Sequence, residues 1–175
     1  MLRLLLIGTL VTAGALAAVA VRAVSRVGMN QGYSPAQPIE FSHRLHAGES
    51  RIPCLYCHYA AARSQHAGIP AASVCMNCHG LLATQTVELE KLRESILQQR
   101  PIRWVKAHNL PDFVHFDHSV HVRAPVACQA CHGPVEAMVR VQQQMPLTMG
   151  WCLSCHEDRG VGDRGERTDC VRCHY

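Results

Sequence analysis

All ten cysteines of this 175-residue chain fall into five copies of one phrase, Cys-x-x-Cys-His. The copies are Cys54 and Cys57 before His58, Cys75 and Cys78 before His79, Cys128 and Cys131 before His132, Cys152 and Cys155 before His156, and Cys170 and Cys173 before His174. Two thiols at this spacing form thioethers to the vinyl groups of a haem, and the adjacent histidine becomes the proximal ligand of its iron. Zinc sites also use Cys-x-x-Cys pairs but do not need a histidine after each one. A secreted disulfide scaffold would not pair its cysteines this way. The pattern therefore predicts five c-type haems, with no cysteine left for a disulfide or a nucleophile. Electron transfer is the expected role.

Five haems change what the chain needs for a core. Aromatic residues make up only 5% of the sequence, which is poor for a conventional interior. Each macrocycle is a large apolar plate, so the haems themselves are expected to be the core, and their attachment to supply the folding free energy. They also change the charge. The bare chain is +4 at neutral pH, and ten ionised propionates would take it to about −6 with ferrous irons. The basic sequence is therefore no argument for nucleic acid, and none is expected as a partner. Arginines, which outnumber Lys91 and Lys106, suit the propionates as fork-shaped partners.

Leu4 to Val21 is an uncharged run of 18 residues bracketed by Arg3, Arg22 and Arg26. As a helix it spans about 27 Å, slightly less than the roughly 30 Å hydrocarbon core of a bilayer. Snorkelling arginines make up the difference. Ala15-Leu16-Ala17 is a small-x-small site of the kind signal peptidase cuts. The apolar run continues past it, which favours an uncleaved single-pass anchor over a leader. Haem attachment outside the bacterial cytoplasmic membrane then puts the haem domain on the periplasmic side.

The expected organisation is an anchor or signal peptide over 1–26, a linker over 27–40 with Gly28, Gly32, Pro35 and Pro38 as breakers, and a haem domain over 41–175. That domain contains a repeat. Phe41-Ser42-His43-Arg44-Leu45-His46 precedes the first two haem phrases, and Phe116-Asp117-His118-Ser119-Val120-His121 precedes the third and fourth. The units are 41–79 and 116–156, with a further haem on 157–175. One helix is expected between them, from Val87 to Arg100, capped by Thr86, striped with Leu89, Leu92, Ile96 and Leu97, and stopped by Pro101. The fold class is mainly α and irregular, with short helices carrying the haem phrases and few strands.

A low-spin electron-transfer haem needs a second axial ligand. His43 and His46, and again His118 and His121, stand three apart on one side of a helical turn. Each pair can reach two different irons, so these four are the expected distal ligands. The fifth distal ligand lies among Met149, His108 and His66; a methionine there would raise the potential of that haem. His115 is the weakest candidate.

The phrase Phe41 to His46 with the first haem motif resembles the class III multihaem cytochromes of the c3 and c7 type. Three longer phrases are more specific: His66-Ala67-Gly68-Ile69-Pro70 followed by Val74 to His79, Asp112 to His121, and Pro146-Leu147-Thr148-Met149-Gly150-Trp151-Cys152. Together they are similar to the pentahaem cytochrome subunit of alternative complex III, a membrane quinol:electron-acceptor oxidoreductase. The resemblance covers about residues 37–175. It implies a membrane-anchored, non-catalytic electron-transfer subunit with mostly bis-histidine haems and one His/Met haem. It implies iron–sulfur and quinol-oxidising membrane subunits as partners, and a cytochrome c or terminal oxidase as the acceptor. Related subunits serve molybdopterin-type oxidoreductases, and a free-standing periplasmic shuttle is the simpler alternative.

Overall fold

A computed structural model of the chain describes residues 2–24, 27–124, 126–161 and 169–174. Arg26, one of the expected flanking arginines, and most of the segment before the fifth haem phrase lie outside these residues.

Helix α1 runs from Leu2 to Val24, three residues beyond the uncharged run, because Arg22 sits in its last turn without breaking it. Its stretch Leu5–Val24 has a mean hydropathy of 1.9, and none of it is buried against the rest of the chain. Both threonines fold their hydroxyls back onto the helix. Thr9 Oγ1 donates to the Leu6 carbonyl at 2.9 Å and Thr12 Oγ1 to that of Gly8 at 3.0 Å. Neither threonine hydroxyl is thus left to face an apolar surrounding unpaired.

The remaining helices are short: α2 (Cys54–Cys57), α3 (Ala72–His79), α4 (Val87–Leu97), α5 (His118–Arg123), α6 (Gln129–His132) and α7 (Met149–Asp158). Among the described residues there is no strand, only an antiparallel bridge between Val114 and His174. The first four haem phrases lie on or at the end of α2, α3, α6 and α7, and the fifth on a 3₁₀ turn, Cys170–Arg172.

Helix α4 begins as expected, with Leu89 N–H donating to Thr86 Oγ1 at 3.2 Å. It ends three residues before Arg100. Gln99 takes a left-handed conformation (φ 52°), Arg100 N–H reaches back to the Ser95 carbonyl at 2.9 Å and Gln99 N–H to that of Ile96 at 3.1 Å. This is a Schellman closure made without glycine, so the sequence carried no stop signal before Pro101. The expected apolar stripe narrows accordingly. Leu92 is buried and Leu89 half-buried, while Leu97 is 84% exposed.

The segment expected to be a linker is tied down from Gln31 onward. Gly32 N–H donates to the Gln143 carbonyl and Gln143 N–H to that of Tyr33. Gln37 exchanges two hydrogen bonds with the Val105 backbone, both 2.9 Å. Glu40 N–H donates to Glu88 Oε2, and the Glu40 carboxylate accepts a forked contact from Arg140. Glycines and prolines marked breaks in secondary structure here, not freedom from the body.

The two repeats pack reciprocally. The His43–His46 turn, continuing as a π-helical segment to Glu49, lies on the turn Val135–Ala137 that follows the third haem phrase; Arg44 N–H donates to the Met138 carbonyl at 2.9 Å. In return α5, carrying His118 and His121, lies on the turn Tyr59–Ala62 that follows the first haem phrase. There Ser119 N–H donates to the Ser64 carbonyl at 3.2 Å.

Among the described residues very little apolar side chain is buried by protein alone: Ala61, Leu92 and Met138. The chain exposes 12848 Å², where a folded protein of its mass exposes about 8,500 Å². The uncovered α1 accounts for part of the excess. Tyr56 and Met149, in and beside haem phrases, are also exposed. The largest fully buried side chain among the described residues is polar. Gln143 Nε2 donates to the Met145 carbonyl at 3.0 Å, and its Oε1 accepts from Asn109 N–H at 2.9 Å. Gln143→Leu keeps the volume but strips the half-buried Met145 carbonyl and the Asn109 N–H of their partner, at about 1–2 kcal/mol each. A loss of about 2–4 kcal/mol is expected in a thermal melt of the haem-loaded protein, against near-neutral behaviour of an exposed glutamine such as Gln98.

Candidate haem sites

Every histidine of the two His-x-x-His turns faces the histidine of one haem phrase. The ring centres of His43 and His58 are 6.5 Å apart, of His46 and His79 6.0 Å, of His118 and His132 6.3 Å, and of His121 and His156 6.1 Å. Two imidazoles bound to one iron from opposite sides have ring centres about 6.4 Å apart, given metal–nitrogen bonds of about 2.0 Å and about 1.2 Å from ring nitrogen to ring centre. The four spacings fit that requirement. The repeat extends to ring angles: the first pair of each unit is nearly parallel (4° and 11°) and the second tilted (59° and 30°).

Local sequence explains how the rings are held. Phe41 packs edge-on to His43 at 4.9 Å and stacks on His46 at 4.3 Å. Phe116 does the same for His118 at 4.8 Å and His121 at 4.6 Å. One phenylalanine, two residues before the first histidine, is thus a shelf for two rings. Its signal was present in the duplicated phrase.

Hydrogen bonds choose the tautomer. Nδ1 of His46 lies 2.9 Å from the Ser42 carbonyl, of His121 2.8 Å from that of Asp117, of His58 2.7 Å from that of Gly68, and of His118 2.8 Å from that of Gln65. A carbonyl can only accept, so the proton sits on Nδ1 and Nε2 keeps the lone pair. That is the state an imidazole needs to bind iron through Nε2. His132 differs, with Nδ1 3.2 Å from His108 Nε2. Nδ1 of His43 and of His79 is buried without a protein partner.

Burial favours the neutral form of five imidazoles in these sites. Burial, then the neighbouring His58 and His46, lower His43 from 6.5 to about 4. Burial, then His108, His118 and His58, lower His132 to about 4. His79, His108 and His156 are lowered in the same way, burial first. Between pH 6.5 and about 4 the unfolded chain binds protons at His43 and His132 that the folded chain refuses. These groups therefore leave stability unchanged above that window and reduce it as pH falls through it. Bound iron competes with the proton and moves the loss lower still. An acid titration of the haem-loaded protein is expected to keep its low-spin spectrum to about pH 5 and to lose ligation only below about 4.

The phrases also meet one another. Burial and then the Cys54 sulfur, in hydrogen-bonding contact, raise the Cys128 thiol. Burial first, then Cys75, Cys155 and Cys173, do the same for Cys57, Cys131 and Cys152 respectively. Second, first, third, fourth and fifth phrases are thus neighbours in that order. The fifth also joins the second repeat through His115 N–H, which donates to the Cys173 carbonyl at 2.8 Å, and through Phe113, 5.7 Å from the His174 ring.

None of the ten cysteines is paired in a disulfide. Among the described residues no three His, Cys, Asp or Glu side chains gather into a site for a bare metal ion. Of the candidates for the fifth distal ligand, His108 is engaged with His132, His66 lies on an exposed turn, and Met149 stands 61% exposed in the first turn of α7.

The comparisons with known proteins agree with this chemistry. Residues 114–175 match the family model described as cytochrome c7 and related cytochrome c. Over 160 residues the chain is 30% identical to the menaquinone reductase multihaem cytochrome c subunit of Nitratidesulfovibrio vulgaris, an alignment covering 79% of this chain and 76% of that one. The chain belongs to the multihaem cytochrome c family.

Proposed function

We propose that the chain carries five covalent haems on its ten cysteines and serves as the electron-transfer subunit of a quinone-linked membrane oxidoreductase. The observation that carries this is the set of four histidine pairs at 6.0–6.5 Å. His58, His79, His132, His156 and His174 are the proximal ligands. His43, His46, His118 and His121 are the distal ligands of the first four haems. Met149 is the distal ligand of the fifth: it precedes Cys152 by three residues on α7, which puts both on one side of the helix, and Cys152 neighbours Cys173.

When bound, the haems supply one-electron iron couples. The chain's own part is to hold each ring aimed, to keep the five phrases in contact, and to tune each iron through ligand type and burial. Helix α1 anchors the domain in the membrane, with the haems on the periplasmic side. The partners are iron–sulfur and quinone-reacting membrane subunits, with a cytochrome c or oxidase beyond them.

The resemblance to alternative complex III favours electrons leaving quinol. The relative's name, a menaquinone reductase subunit, favours the opposite direction in a complex of the same kind. Mild-detergent extraction of native membranes, following the protein by its haem absorbance, tests the assignment. Copurification with polytopic and iron–sulfur subunits is expected, and rapid haem reduction by added menaquinol supports the quinol-oxidising direction. Recovery of the protein alone in a detergent-free wash contradicts the subunit reading and leaves a free shuttle.

A further inference from the structure

Four of the ligand histidines direct Nδ1 at a backbone carbonyl. His132 instead meets a side chain, His108 Nε2, at 3.2 Å, with the rings 4.5 Å apart and 76° inclined. The contact is built into the fold. On one side of His108 the Val105 backbone is held by both ends of the Gln37 amide. On the other, Asn109 N–H is held by Gln143, which is fully buried. Two glutamines thus pin a strap whose centre is one half-buried imidazole.

We propose that His108 is a positioning residue for His132, accepting its Nδ1–H hydrogen bond and thereby setting the ring plane and donor strength of a single iron ligand. The inference rests on the reading of His132 as a proximal haem ligand. With Nε2 of His132 on iron, its proton is on Nδ1; His108 then accepts through Nε2 and carries its own proton on Nδ1. An imidazole nitrogen is more basic than an amide oxygen. It draws harder on the shared proton, gives His132 more imidazolate character and favours the ferric state of that one haem. The same contact removes His108 Nε2 from service as an iron ligand.

The test compares full-length, haem-loaded wild type with His108→Phe, which fills the space without accepting, and His108→Gln, whose amide oxygen can reach Nδ1. Redox titration is followed by optical and EPR spectra. In the Phe variant all haems stay low-spin and one midpoint rises, changing the reduced-to-oxidised ratio of that haem about tenfold, which is about 59 mV for one electron. The Gln variant, which keeps an acceptor but a weaker one, shifts the same midpoint in the same direction by clearly less. An unmoved set of midpoints overturns the proposal. So does an equal shift in both variants, which is the mark of packing alone, or one haem turning high-spin, which makes His108 an iron ligand. If the Phe variant does not assemble, His108→Asn, one carbon too short to reach, replaces it with the same outcomes. Absence of haem from the Cys128–His132 peptide overturns the proposal together with the reading beneath it, and peptide mass tells that failure from the others.

Discussion

His118→Ala is expected to open one iron and only one. The purified variant should bind about one equivalent of carbon monoxide in its reduced state, where the wild type binds essentially none, and show one high-spin haem. His118 stands 6.3 Å from His132, and its Nδ1 is fixed by the Gln65 carbonyl. The next residue is tied to the first repeat by the bond from Ser119 N–H to the Ser64 carbonyl. Removal of the ring leaves that backbone contact in place, so the neighbouring haems keep their ligands. His115→Ala, three residues earlier on the same strap, is the control and should leave every haem low-spin. If the two variants behave alike, the assignment of distal ligands to the His-x-x-His turns is wrong.

Gly48→Ala is expected to be the most disruptive glycine-to-alanine change among the described residues. Gly48 lies in the turn that carries His46, and a Cβ there runs into the Glu136 backbone carbonyl. That carbonyl belongs to the turn after the third haem phrase, so the methyl forces apart the two repeats at their reciprocal contact. Backbone cannot move aside as a flexible side chain can. The expected loss is about 3 kcal/mol or more, read as a fall in thermal midpoint of about 6–12 °C. Gly150→Ala is the comparison. Nothing lies within 4 Å of a Cβ at that position in α7, and alanine there should stabilise the helix by up to about 1 kcal/mol. Equal effects at the two glycines would show that the reciprocal contact does not hold the repeats together.

The chemistry was legible in the sequence because it is local. Attachment thiols, proximal histidines and the His-x-x-His turns are each written within a few consecutive residues, and duplication displays the spacing twice. The cap of α4 at Thr86 was readable for the same reason. What was not legible depends on contacts between distant segments. The end of α4 is set by a left-handed Gln99, where glycine would have announced it. The pinning of 31–40 depends on Gln37, Glu88 and Gln143, which are 68, 48 and 111 residues from their partners Val105, Glu40 and Gly32. His108 read as a free candidate ligand because nothing in its own phrase points to His132. Phe41 and Phe116 are the intermediate case: the repeat displayed them, but their role as shelves emerges only from ring geometry.

The central claim is that each Cys-x-x-Cys-His phrase carries one covalent haem. Peptide-level mass spectrometry of the native protein measures this most directly, since it is indifferent to how the N-terminus is processed. Haem is expected on all five peptides, those containing Cys54 to His58, Cys75 to His79, Cys128 to His132, Cys152 to His156 and Cys170 to His174. Peptides at their unmodified mass, or lighter by the hydrogens lost to disulfides, would contradict it.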